Sequence, residues 1–127
     1  MSKTASDLTV AEIQHYRLAM QQRAARAQRE AQARAAHARR VAARAAALLK
    51  TEFGVRHVWL FGSVARGTLV HPRSDIDLAV EGLLPEQFWK AWCRLDTVAE
   101  TYHIDLVSIE SAKHFLHQEI EREGIEL

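Results

Sequence analysis

The chain has 127 residues, 48% apolar and 26% charged, which fits one soluble domain with a modest core. A single cysteine, Cys93, excludes an internal disulfide, and no apolar run approaches the ~20 residues that span a membrane, so a cytoplasmic protein without membrane association is expected. The net charge of +1 conceals a split: residues 13–50 hold eight arginines and Lys50 against the single Glu30, whereas residues 51–127 hold seven basic and thirteen acidic residues.

The first residues, Met1 to Asp7, lack the apolar core of a secretion signal. Thr9 and Glu12 form a capping box, and no glycine or proline follows until Gly54. Alanine and arginine dominate between them, and both favour helix. The expectation is one helix over residues 10–52, about 64 Å long at 1.5 Å per residue. A domain of this size cannot cover such a helix, so part of it should protrude or bind something. Met20, Ala24, Ala27, Ala31, Ala38, Val41, Ala45 and Leu48 recur at three or four residues, with a break at Arg34. An alanine seam permits close approach but buries little area. The favoured reading is an antiparallel homodimer through this N-terminal helix. Binding of nucleic acid by the arginines is not favoured, since aromatic residues for stacking are missing. A helix that docks another protein, or folds back on its own domain, remains the third reading.

Val58 to Phe61 is a short apolar run that suits a buried strand. Gly62 at its end lets the backbone turn sharply and approach a ligand. Ser63 offers a hydroxyl and an N–H, and a helical turn over 63–66 would present free N–H groups to an anion. Arg66 adds a planar cation that matches phosphate oxygens, or pairs with a structural carboxylate. The loop from Thr68 to Arg73 lies beside this position and is a candidate gate.

In Asp75 to Val80 the side chains alternate. Ile76, Leu78 and Val80 face the core, and Asp75, Asp77 and Ala79 face the other way. Two carboxylates so close repel each other unless a cation lies between them. Hard ions such as magnesium or manganese suit these oxygens. Pro85 and Glu86 open a helix with Phe88, Trp92, Leu95 and Ala99 on one stripe and Val98 at its edge. Trp89 is expected at the core edge rather than on a nucleotide base. Cys93 is expected to be buried within this helix. In the third segment Asp105 lies opposite in phase to Ile104 and Leu106. If the strands adjoin, Asp75, Asp77 and Asp105 form a three-carboxylate cluster. Two ions about 4 Å apart could then clamp the attacking and leaving oxygens of an in-line displacement. Ser111 should cap a last helix carrying Phe115 and Ile120, with His114 and His117 on its surface.

The order of these motifs resembles the DNA polymerase β-like nucleotidyltransferase superfamily, and most closely its minimal, MNT-type branch. The matching residues are Leu60-Phe61-Gly62-Ser63, then Asp75-Ile76-Asp77, then Asp105. The minimal branch also favours the Gly62-Ser63-Val64-Ala65-Arg66-Gly67 and Ser74-Asp75-Ile76-Asp77-Leu78 patterns, and its tail is similar to Ile120 to Leu127. The resemblance implies an α/β (α+β) fold, a small mixed β-sheet flanked by helices, with strands near 56–61, 75–81 and 103–109. It covers roughly residues 40–127, and the domain is drawn over residues 38–127, with residues 1–37 as an N-terminal extension. It implies that Asp75 and Asp77 bind Mg2+ or Mn2+, and that Asp105 is a third ligand or activates the acceptor. Gly62 and Ser63 would hold the β- and γ-phosphates of ATP, with Arg66 and Ser74 in the same nucleotide-binding set. It further implies transfer of AMP to a hydroxyl of a HEPN-type toxin, for which the chain would be the antitoxin. The alternatives are an antitoxin that acts by binding alone and a nucleotidyltransferase for small molecules.

Overall fold

Thr9 opens the first helix, α1 (Val10–Phe53), by accepting a hydrogen bond from the Glu12 N–H at 3.1 Å. Its 44 residues run unbroken to Gly54, whose φ of +66° ends the helix in the left-handed region while its N–H returns to the Leu49 carbonyl. The computed structural model describes residues 7–67 and 75–127. The expected gate at Thr68–Arg73 and the binding residue Ser74 lie outside the described residues.

Beyond α1 come β1 (His57–Phe61), α2 (Gly62–Arg66) and β2 (Ile76–Glu81). A 3-10 turn at Pro85–Gln87 leads into α3 (Phe88–Leu95), then β3 (Ile104–Ser108). A second 3-10 turn at Ile109–Ser111 precedes α4 (His114–Glu123) and the short β4 (Ile125–Glu126). The strands form one mixed sheet in the order β3-β2-β1-β4. β1 is antiparallel to both β2 and β4, and β2 is parallel to β3 through the α3 crossover. The α+β architecture, the long helix and three strands are those expected from the pattern.

Strand alternation decides what each face carries. Val58, Leu60, Ile76, Leu78, Val80, Ile104 and Leu106 point to one side and are buried against α1 and α3. There α1 contributes Ala38, Val41, Ala42, Ala45 and Leu49, all fully buried. Its small alanines let the helix axis approach the sheet closely, while Leu49 fills the gap at its end. The opposite face carries Phe61 and Ala79, covered by Ile120 of α4 with Trp59, Val107, Ile109 and Leu116 around them. Bidentate bonds from Arg94 to Glu52, at 2.8 and 3.0 Å, tie α3 to α1 at the surface.

Burial along α1 starts at Ala35. Residues 20–30 are exposed all round, and Val10, Tyr16, Leu18 and Met20 are each more than half exposed. The C-terminal half of the expected seam therefore lies in the chain's own core, and the N-terminal half projects from it.

Two expectations are corrected, and the placement of Phe115 is added. Cys93 is exposed, because the side of α3 that meets the core carries Ala91 and Leu95, with Phe88 and Trp92 partly buried beside them. Ser111 does not cap α4: it belongs to the preceding 3-10 turn, its hydroxyl bonds the Ser108 carbonyl at 3.4 Å, and Lys113 occupies the cap position. Phe115 is 65% exposed, since Ile120 and Leu116 form the covered side of α4.

The burial boundary on α1 has a direct consequence for stability. Leu49→Ala should cost about 2–5 kcal/mol in urea unfolding, whereas Leu18→Ala, on the bare half, should change it by under about 0.5 kcal/mol.

Candidate active site

β1 and β2 are paired so that Phe61 faces Asp77, and β2 and β3 so that Asp77 faces Asp105. The two aspartates therefore stand side by side on adjoining strands, roughly 4.8 Å apart along the hydrogen-bonding direction. Both project to the face covered by α4. Asp75 precedes β2 and is exposed. The strands on which the cluster is conditional do adjoin, and their register brings Asp77 and Asp105 together.

Asp77 is also set against the turn that ends β1. Gly62 has φ of +78°, and a Cβ at this position would collide with the Asp77 carboxylate. Two independent reasons thus require glycine: the left-handed backbone and the absence of space. Here the chain passes from β1 directly into α2, so the Asp77 carboxylate and the first turn of α2 share one small region. No described side chain caps the N-terminus of α2, and its first N–H groups have no partner within the helix. At its other end, α2 is held by α1: Arg39 donates to the Val64 and Ala65 carbonyls at 3.3 and 2.9 Å. This arginine was read only as part of a basic face, and its spacing of 25 residues from Val64 carries no local signal.

The electrostatics follow from the crowding. The Asp77 carboxyl is pushed up to about 6, first by burial and then by Asp105, Asp75 and Glu119, while Arg66 opposes the shift. A half-buried carboxylate among three others is short of positive charge, which is the chemistry of a divalent cation site. Among the described residues, no three His, Cys, Asp or Glu side chains converge on one point as they stand. Asp105 is engaged by the His103 ring nitrogen at 3.1 Å. The donor set nevertheless fits a hard cation: oxygen ligands, adjoining strands and an unrelieved repulsion.

Arg66 is engaged by carboxylates of α4. It bonds Glu123 at 2.9 Å and lies 3.8 Å from Glu119, so it locks α2 to α4. The two α4 carboxylates were missed in the sequence. Their spacing of four residues on one helix face was the available signal, but nothing in it points to Arg66. Ser63 is half-buried at the start of α2. Trp89 is 69% exposed, stacked on Trp92 at 5.3 Å with ring planes 8° apart, so it lies outside the core. Together with Leu84, Phe88 and Leu116 it lines a groove of about 1090 Å3. That groove opens at the Gly82 and Ser108 ends of β2 and β3, the opposite end of the sheet from Asp77 and Asp105.

Comparison with known proteins gives a family match over residues 44–127, described as polymerase beta, nucleotidyltransferase. Among solved structures, a toxin–antitoxin crystal structure with AMP-PNP matches at 31% identity and TM-score 0.53, covering 62% of this chain and 65% of that one. A mutant of the MntA–HpeT toxin–antitoxin pair matches at 28% identity and TM-score 0.52, with the same coverage. A structure described as a minimal nucleotidyltransferase matches at 29% identity and TM-score 0.57, covering 71% of this chain and 95% of that one. The chain thus spans just under two thirds of the toxin–antitoxin chains it resembles. No curated protein matched. No helix of the described residues is long and apolar enough to cross a membrane.

The shifted carboxyl predicts a pH dependence without divalent ions. Asp77 keeps its proton more tightly when folded, so the folded state binds more protons between about pH 4 and 6, and stability falls as pH rises through that window. Asp77→Asn removes this loss. It should raise stability at pH 7 by of order 1–3 kcal/mol and flatten the urea midpoint between pH 4 and 6. Gly62→Ala should act in the opposite direction, costing about 1–3 kcal/mol from the positive φ alone.

Proposed function

The chain belongs to the polymerase beta nucleotidyltransferase family, and on that premise we propose that it transfers AMP from ATP to a hydroxyl group of a partner protein. The observation that carries this reading is the pairing of Asp77 with Asp105 beside the Gly62 turn, with the Asp77 carboxyl driven up by burial and then by its neighbours. Asp75, Asp77 and Asp105 would hold Mg2+ or Mn2+. When bound, the ion supplies positive charge to the phosphate oxygens and to the developing charge of the displacement.

The chain's own residues have separate tasks in this scheme. Gly62 lets the Asp77 carboxylate lie against the turn, and the first N–H groups of α2, with Ser63, would face a phosphate. Arg39 and Arg66 hold α2 at its C-terminal end and on its α4 side, so that turn is rigid before nucleotide arrives. Arg66 acts here through α2 rather than on the phosphate directly. Asp105 either joins the cation or takes the proton from the attacking hydroxyl, and His103 orients its carboxylate until then. Ser74 remains part of the proposed nucleotide-binding set from its place in the motif. The alternation of burial supports the same site, since the apolar faces of β2 and β3 anchor both aspartates to a packed sheet.

The partner class follows from the relatives. A toxin–antitoxin structure with AMP-PNP supports both the nucleotide and the setting, and from the motif resemblance we read the acceptor as a HEPN-type toxin and this chain as its antitoxin. The division into an extension over residues 1–37 and a catalytic domain over residues 38–127 belongs to the same reading. Its supports are the family match from residue 44 and the onset of burial on α1 at Ala35. A cytoplasmic location completes it.

Incubation with labelled ATP, magnesium and the protein encoded beside this one tests the proposal. Labelling of that protein should fall by roughly 100-fold or more in Asp77→Asn, with the circular-dichroism spectrum unchanged. Neutralisation of the neighbour without any labelling would favour an antitoxin that acts by binding. Labelling of small alcohols but not of the protein would favour a small-molecule acceptor.

A further inference from the structure

The bare half of α1 carries its own pattern. Ile13, Tyr16, Met20, Ala24, Ala27 and Ala31 recur at three or four residues and average close to the 3.6 of a straight helix. The series runs in phase into Ala35, the first residue of the buried face. One continuous stripe is therefore covered over its C-terminal half by the chain's own sheet and left open over its N-terminal half. Ile13, Tyr16 and Met20 are 38, 55 and 66% exposed, and the groove between them and Ala24 measures about 650 Å3.

We propose that this open stripe is covered by the same stripe of a second copy, the two helices crossing antiparallel about a two-fold axis at Met20. Size along the stripe sets the register. The large residues stand at its N-terminal end and the small ones at its C-terminal end. A two-fold at Met20 puts Ile13 opposite Ala27 and Tyr16 opposite Ala24, large against small at each step, and Met20 against itself. A parallel pairing would instead set Tyr16 on Tyr16 and alanine on alanine, leaving a splayed end and a gap. Length selects the same centre. The open stretch runs from Val10 to the start of burial near Ala31, and its midpoint is Met20 to Gln21. That register covers both open stripes completely and stops each arm where the other copy's own domain begins. Arg26 and Arg29 lie away from the stripe, while Arg17 and Arg23 flank it on opposite sides, so the two-fold sets them level without turning one toward the other.

The two-fold has a consequence for the site. Arg39 fixes α2 at the level where α1 enters its own domain, so the open arm projects past the end of the sheet that bears Asp77 and Asp105. Each catalytic end would then face along a shared stalk toward the other, with the two sites at opposite ends of it.

Cross-linking tests this directly and does not depend on catalytic activity. In a Cys93→Ser background, which removes the exposed thiol, Met20→Cys alone should oxidise to a covalent dimer. Ile13→Cys alone and Ala27→Cys alone should not, whereas an equal mixture of the two should. Met20→Glu should convert the dimer seen by light scattering to a monomer with unchanged helix content, since the residue lies outside the core. Full-length protein that is monomeric at tens of micromolar overturns the proposal and assigns the stripe to a heterologous protein or to nucleic acid. A dimer in which Met20→Cys fails to cross-link, or Ile13→Cys links to itself, overturns the antiparallel register.

Discussion

The carboxylate of Asp77 lies against the backbone of Gly62, and the Asp105 strand presses a second carboxylate beside it. Most of the fold can be read as what is needed to hold these negative groups in place. A carboxylate repelled by its neighbours moves away from them unless its strand is fixed. Here β2 is an inner strand of the sheet, paired on one side with β1 and on the other with β3. Its alternate residues Ile76, Leu78 and Val80 are fully buried beneath α1 and α3. The apolar face holds the strand, and the polar face is left free to carry charge. Burial then does two things together: it raises the Asp77 carboxyl, and it keeps the group where a cation would relieve the strain.

The same division explains the helices. α1 contributes mostly alanine to the sheet, which brings its axis close and lets Arg39 reach the carbonyls of α2. α4 closes the other face with Ile120 and sends Glu119 and Glu123 toward Arg66. The short helix α2 is therefore gripped from two sides by arginine contacts while its first turn stays open. Exposed ion pairs contribute little to stability on their own. Their effect here is geometric, since α2 has only five residues and little packing of its own.

Much of this was legible in the sequence because it depends on local period. The helix from the Thr9 cap to Gly54, the strand ending at Gly62 and the alternation around Asp75 to Val80 are short-range signals. That Asp77 and Asp105 face away from the apolar side followed from phase, whereas their register depends on how β2 and β3 pair. What could not be read depends on distant contacts or on too few residues. β4 has two residues, too short to show alternation, and is held by the Leu127 N–H donating to the Val58 carbonyl at 2.9 Å. Arg66 has two chemically equivalent partners, phosphate or carboxylate, and only the position of α4 selects Glu123. Cys93 falls in an eight-residue helix, where two turns cannot separate the covered side from its flank. The seam on α1 was visible along its whole length, but the sequence does not say that the domain covers it from Ala35 onward and leaves the rest open.

The central claim is that Asp77 is a crowded carboxylate awaiting a cation. Carboxyl carbon NMR on protein labelled at aspartate measures it most directly, by following the Asp77 titration with and without magnesium and a non-hydrolysable ATP analogue. The account predicts a midpoint near 6 for the free protein. Magnesium and nucleotide together should draw that midpoint down below the ordinary aspartate value. A midpoint at the ordinary value in the free protein, unmoved by magnesium and nucleotide, would contradict it.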